Sequence, residues 1–199
     1  MSHRELRRAK VLTLIAGMAV GGLTLLAWTM PWFVVTLVDA STQGGQIEVT
    51  GEHAAPALAA LGLAGLALVG ALAIAGRVFR VVLGVLEAAI GVSVCLSAWG
   101  AITDPIAAAA PLVSEHTGIS GSQSVSGLIE SAPSTPWPVA TVLIGALSIV
   151  LGVLIVVTAG RWPSRPSRYQ AVRLEDAQEP RSAVSDWDSL SDGDDPTSR

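Results

Sequence analysis

One cysteine, one tyrosine, two phenylalanines and one lysine are all that this 199-residue chain contains of those types. The lone Cys95 excludes a disulfide framework and, by itself, a thiolate zinc site. Inside an apolar run it reads as packing. Charge is scarce as well: Asp, Glu, Lys and Arg make up 14% of the chain against 51% hydrophobic residues, too little polar side chain to cover a soluble domain. The most informative absence is positional, since no lysine or arginine occurs between Arg80 and Arg161. Catalytic signatures are missing too. There is no Ser-His-Asp arrangement, phosphate loop or CxxC, so no nucleophile stands beside a visible base, and neither an enzyme nor a cofactor is expected. His53 and His116 each adjoin a glutamate, Glu52 and Glu115, but adjacent loop residues make a poor ligand set and no metal site is expected.

What is present is long apolar segments. The mean hydropathy of +0.57 averages unlike parts, because residues 1–10 and 161–199 are polar while most of the intervening chain is not. A bilayer core of about 30 Å needs about 20 apolar residues in a helix whose backbone groups are satisfied within the segment. Four stretches qualify: 11–32, 54–76, 81–103 and 139–160. The expected fold is therefore an all-α membrane protein, a four-transmembrane-helix bundle. A cleavable signal peptide competes for the first stretch, but the run is too long and closes on Trp28, Met30, Pro31 and Trp32 rather than on a small-residue cleavage site.

Orientation follows from the bias of Lys and Arg toward cytoplasmic loops. Arg4, Arg7, Arg8 and Lys10 precede the first span, Arg77 and Arg80 fall in the turn 77–80, and the remaining six arginines follow the fourth span. The opposite loops, 33–53 and 104–138, carry Asp39, Glu48, Glu52, Asp104, Glu115 and Glu130 with no basic residue. Both termini are thus expected in the cytoplasm of a bacterial plasma-membrane protein; the bacterial source rests on a composition rich in Ala, Gly, Val and Arg. Trp28, Trp32, Trp99 and Trp137 are expected as anchors at the outer interface and Trp162 at the inner one.

Between the spans, Trp32–Val38 is β-branched and aromatic, Gln46–Thr50 alternates, and the turn-rich Asp39–Gly45 joins them, so an extracytoplasmic β-hairpin is expected. Two strands alone are marginal and should lean on other surfaces. The loop 104–138 is punctuated by five prolines and reads as irregular, with a short helix near Val125–Glu130. The tail 161–199 turns from basic to Ser-, Asp- and Pro-rich and is expected to be largely disordered. Arg161, Arg165 and Arg168 are expected to contact anionic lipid, and Trp187 in the acidic stretch reads more simply as an exposed side chain than as a docking motif.

Glu87 is the one ionisable residue well inside a span, and such residues are functional candidates by default. It shares a helix face with Arg80, Gly84, Ala88, Gly91 and Cys95. One reading is a proton- or substrate-coupling carboxylate; the simpler one is a carboxyl that stays protonated and hydrogen-bonds Ser or Thr on a neighbouring helix, or one that reaches back toward Arg80. Gly17-x-x-x-Gly21 and the pair Gly145 and Gly152 read as close-packing surfaces, within the chain rather than between copies, though homo-oligomers remain open.

Four segments carry a resemblance: the basic Arg7-Arg8 leading into the first span, the outer Trp32-Phe-Val-Val-Thr, Val49-Thr-Gly-Glu-His-Ala-Ala-Pro-Ala-Leu entering the second span, and Arg161-Trp-Pro-Ser-Arg-Pro-Ser-Arg-Tyr169 after the fourth. They bracket residues 7–169, and in them the chain resembles the tryptophan-biosynthesis-associated transmembrane protein family, a bacterial four-span group. The resemblance implies a link to tryptophan synthesis and no catalytic residue. Two functions follow as expectations: a non-enzymatic accessory protein that meets partners through its outer loops and tail, or a small transporter or exporter subunit for an aromatic metabolite with Glu87 in its path. Beyond the lipid bilayer, protein partners are expected and nucleic acid is not.

Overall fold

The structure, a computed structural model, describes residues 3–37, 46–119 and 121–160. In chain order the elements are α1 (His3–Thr29), β1 (Pro31–Leu37), β2 (Gln46–Thr50), α2 (Gly51–Ala54), α3 (Ala57–Ile74), α4 (Arg77–Thr103), α5 (Pro105–Thr117), α6 (Ser122–Leu128), β3 (Ile129–Ser131) and α7 (Trp137–Thr158). Among the described residues, four helices are long and apolar enough to cross a membrane: α1 from Arg8, α3, α4 and α7. Each corresponds to one of the apolar stretches read from the sequence, with shifted ends. The first span stops at Thr29 rather than Trp32, because Pro31 opens a strand. The second starts at Ala57, after the short α2 and Pro56. The turn between the second and third spans shrinks to Ala75–Gly76, which puts Arg77 and Arg80 on the first turns of α4.

Packing among the spans is set by small residues. In lipid there is little hydrophobic drive between helices, so close backbone approach has to supply the contact energy. Buried positions of α4 run Arg80, Gly84, Glu87, Gly91, Val94, Ala98, Ala101, alternating steps of four and three. On α7, Thr141, Gly145, Ser148, Gly152 and Ile155 keep the same alternation. That spacing is a heptad seam, the pattern of helices packed nearly antiparallel. The glycines meet across it: a Cβ on Gly145 would lie 2.9 Å from the Gly91 carbonyl oxygen, and one on Gly152 would lie 2.6 Å from that of Gly84. Helix α1 seats Gly21 beside Gly62 and Leu66 of α3, and Gly17 beside Val69 and Leu151, so its GxxxG face is used within the chain.

A cap closes one end of the bundle. Strands β1 and β2 form the antiparallel hairpin expected from the sequence, with the connecting residues 38–45 outside the described residues. The strand order is β2-β1-β3, so β3 adds a third strand that the sequence reading lacked. The pairing runs on past β3, as Val34 N donates to Pro133 O at 3.2 Å and Thr135 N to Trp32 O at 2.9 Å. Loop 104–138, read as irregular, is mostly ordered. Asp104 caps α5 by accepting from Ala107 N at 2.9 Å, Pro105 occupies the first turn where no N–H is needed, and Gly118 ends the helix at φ +69°. The short helix expected at 125–130 lies at Ser122–Leu128 instead.

One apolar core joins cap and bundle. Trp32, Phe33, Val35 and Val49 from the sheet pack with Leu112, Val113, Val125 and Ile129 and with Leu58, Val94 and Ala98 at the helix ends. The cap therefore does not hang from the membrane helices on linkers.

Candidate functional site

Among the described residues, four of the five buried polar side chains, Arg80, Glu87, Thr141 and Ser148, lie on α4 and α7, and the fifth, Thr24, lies on α1. Glu87, ten residues past Arg77, is 2% exposed, and Ser148 beside it on α7 is equally buried. Ser148 Oγ donates to Glu87 Oε1 at 2.8 Å and approaches the Glu87 carbonyl oxygen at 3.3 Å. Glu87 Oε2 is enclosed with no hydrogen-bond partner among the described residues. Geometry explains why the carboxyl fits: Gly84 and Gly91, one turn to either side on the seam, bring α7 close and leave the space between them to a longer side chain. Arg80, seven residues earlier, is also buried on this face. The other buried hydroxyls are self-contained, Thr24 donating to Val20 O and Thr141 to Trp137 O, each four residues back in its own helix. The arrangement thus places one carboxyl–hydroxyl pair at mid-span, held by two continuous helices. Such a pair can hold or relay a proton; a chain of further polar side chains does not lead away from it among the described residues.

Trp32 departs from its expected place at the lipid interface. It is wholly buried. The register of β1 slips between Pro31↔Thr50 and Phe33↔Val49, a bulge with Trp32 as the extra residue. A bulge re-aims a side chain, and here it lets two successive residues, Trp32 and Phe33, both face the core in edge-to-face contact at 6.5 Å. The indole N–H then donates to Ala27 O at 2.8 Å, closing the free end of α1. Gly51 completes the lock: a Cβ there would lie 2.7 Å from Ala27 O and 2.8 Å from Trp32 Nε1, and its N–H donates to Met30 O. Two of the resemblance segments, 32–36 and 49–58, are therefore one structural device.

The remaining candidates are spread out. Trp99 is 61% exposed near the cap end of α4, while Trp28 and Trp137 are half-buried against the cap core. Trp162, Arg161, Arg165, Arg168 and Trp187 lie outside the described residues. His53 Nδ1 lies 3.2 Å from Thr50 Oγ1 and His116 Nδ1 lies 3.0 Å from Leu112 O, on separate helices, and no three metal-ligating side chains gather among the described residues. Cys95 packs on Gly145 and its thiol points at Val142 O, 3.5 Å away.

A family model described as tryptophan-associated transmembrane protein matches residues 14–197. This chain belongs to that family. The match runs beyond the segments that carried the resemblance, through the acidic tail as far as residue 197. It takes in the first span from residue 14, the other three spans and the whole cap, and so covers the region that holds both the Trp32–Gly51 lock and the Glu87–Ser148 pair. No curated protein and no solved structure matches the chain.

Proposed function

We propose that this member of the tryptophan-associated transmembrane family is a non-enzymatic accessory protein of the bacterial plasma membrane, with both termini cytoplasmic and the cap outside. The cap binds a protein partner there, coupling the envelope to tryptophan-related metabolism. The observation that carries this reading is the cap itself. It is a folded unit fused to the bundle by a common core, and Glu48, Glu52, Asp104, Glu115 and Glu130 are all exposed on it with no lysine or arginine among them. A rigid anionic surface of this kind favours a partner with a cationic face and speeds their encounter at low salt.

Orientation is checked by labelling. Gln123→Cys reacts with a membrane-impermeant maleimide in intact cells, and Ser2→Cys only after permeabilisation; the reverse pattern overturns the assignment. Function is checked by tryptophan and indole flux in cells lacking the gene, complemented by wild type or Glu87→Gln at matched abundance. Unchanged flux in all strains supports the accessory role.

A second reading, a small transporter or exporter subunit for an aromatic metabolite, is favoured by the unpartnered Glu87 Oε2 at mid-span. A flux defect rescued by wild type and not by Glu87→Gln selects it over the accessory role.

A further inference from the structure

Backbone polarity singles out one edge of the cap sheet. Val34 N donates to Pro133 O, so the backbone groups of Val34 point toward β3, and those of its neighbours Phe33 and Val35 point toward β2. Phe33 pairs with Val49 and Val35 with Ile47. Val49 and Ile47 therefore turn their N–H and C=O to β1, and the alternate residues Gln46 and Glu48 turn theirs out of the sheet. Strand β2 is the last on that side, and these outward groups meet no hydrogen-bond partner among the described residues. Both residues are exposed, while Ile47 packs partly against the cap core and Val49 is buried in it.

An open strand edge is a template for one more strand, and folded proteins commonly block it with a proline, a lysine or a bulge. Gln46–Thr50 contains neither proline nor lysine, and the bulge of this sheet lies on β1. The charge at the middle of the edge is Glu48, in a cap that has no lysine or arginine. A second copy would bring the same acid and no cation to answer it, and like charges facing each other weaken a strand pair. In a hydrogen-bonded antiparallel pair the facing Cα atoms are about 5.5 Å apart, so a lysine or arginine opposite Glu48 would meet its carboxylate on the solvent face. The residues on either side of that cation would lie next to Ile47, where apolar side chains fit.

We propose that the free edge of β2 takes up an extended segment of a partner protein as a further antiparallel strand, bonded to the backbone of Gln46 and Glu48, with a basic residue opposite Glu48 and apolar residues flanking it. This rests on the reading of the cap as a partner-binding surface and adds how the partner is held.

The test uses the full chain in phosphatidylcholine nanodiscs and a short fluorescent peptide of alternating lysine and valine, read by anisotropy. A second peptide of the same sequence is N-methylated at its lysine amides, the groups that would face β2; its charge is unchanged. Wild type binds the methylated peptide about tenfold more weakly, the effect of losing a few backbone hydrogen bonds. Glu48→Gln weakens the unmodified peptide about threefold. Glu48→Pro removes the outward N–H as well as the acid, leaves the β1–β2 ladder intact because that N–H takes no part in it, and abolishes binding. Should this variant fail to fold, the comparison of the two peptides on wild type decides.

Equal binding of the two peptides by wild type, or undiminished binding by a folded Glu48→Pro, overturns the edge and leaves the acidic cap as the cause of binding. Binding of neither peptide also overturns the edge, while the flux test judges the accessory reading separately. A wild-type dimer in detergent, seen by light scattering and lost in Glu48→Pro, puts a second copy on the edge and overturns the proposal too.

Discussion

Helix α4 has two neighbours in the bundle and meets them in opposite ways. Against α7 it closes backbone to backbone through Gly84 and Gly91, while against α3 the space between Leu83, Ile90 and Ala64 stays open. Small residues are present on both sides, so their number does not decide the outcome. Matching does: Gly84 and Gly91 stand opposite Gly152 and Gly145, with a carbonyl oxygen of each partner helix aimed at the place a side chain would fill. In that open groove, the alanines of α3 share the wall with Leu61 and Leu68, and those side chains keep α4 at a distance. Close packing in a membrane thus requires small residues on both helices at the same level, repeated at heptad spacing.

The contrast is open to direct tests, and the largest effect is expected where both helix pairs are tied together. Trp32→Ala removes the side chain that joins the α1 end to the cap core and should lower stability by about 4 kcal/mol, seen as a drop in melting temperature in detergent. An unchanged melt would mean that the bundle holds without its cap. Gly152→Leu overfills the seam and should cost about 3 kcal/mol in the same assay. If it melts like wild type, the α4–α7 contact is looser than described. Ser148→Ala takes away the hydroxyl on Glu87 and should cost about 0.6 kcal/mol, the usual size of an interhelical hydrogen bond in a membrane. A loss several times larger would show that Glu87 depends on Ser148 for more than one hydrogen bond. Smallest of all, Ala67→Leu faces the groove and should shift stability by no more than about 0.5 kcal/mol. A penalty as large as that of Gly152→Leu would erase the distinction between the two faces.

Much of this layout was legible before any coordinates. The four spans announce themselves because backbone chemistry in hydrocarbon demands about 20 apolar residues in a row. The β1–β2 hairpin shows in its alternation and its turn-rich link. Glu87 stands out as a lone acid at depth, yet its partner Ser148, 61 residues away, has nothing local to mark it. Strand β3 is three residues long and exists only because β1 is there to pair with it, so no periodicity of its own betrays it. The helix α5 was hidden by its prolines. Pro105 begins the helix, where its ring costs nothing, and only Pro111 lies inside it. Trp32 was misplaced for a different reason: an aromatic after an apolar run fits a lipid interface or a cap core equally well. The β-branched residues that follow it, Val34, Val35 and Thr36, were the signal for the second.

The central position of β1 bears on how the protein is made. Ribosomal synthesis delivers β1 first, β2 soon after, and β3 only when α3, α4, α5 and α6 have been completed. The middle strand of the sheet therefore waits with one edge unpaired while two further helices enter the membrane, and it is sealed by the segment that immediately precedes α7. Closure of the cap is in this sense a record that the third span has been placed and the fourth is arriving. A chain stalled or truncated before Ile129 would present an open strand edge on the membrane surface, its unpaired N–H and C=O groups a template for pairing with another chain.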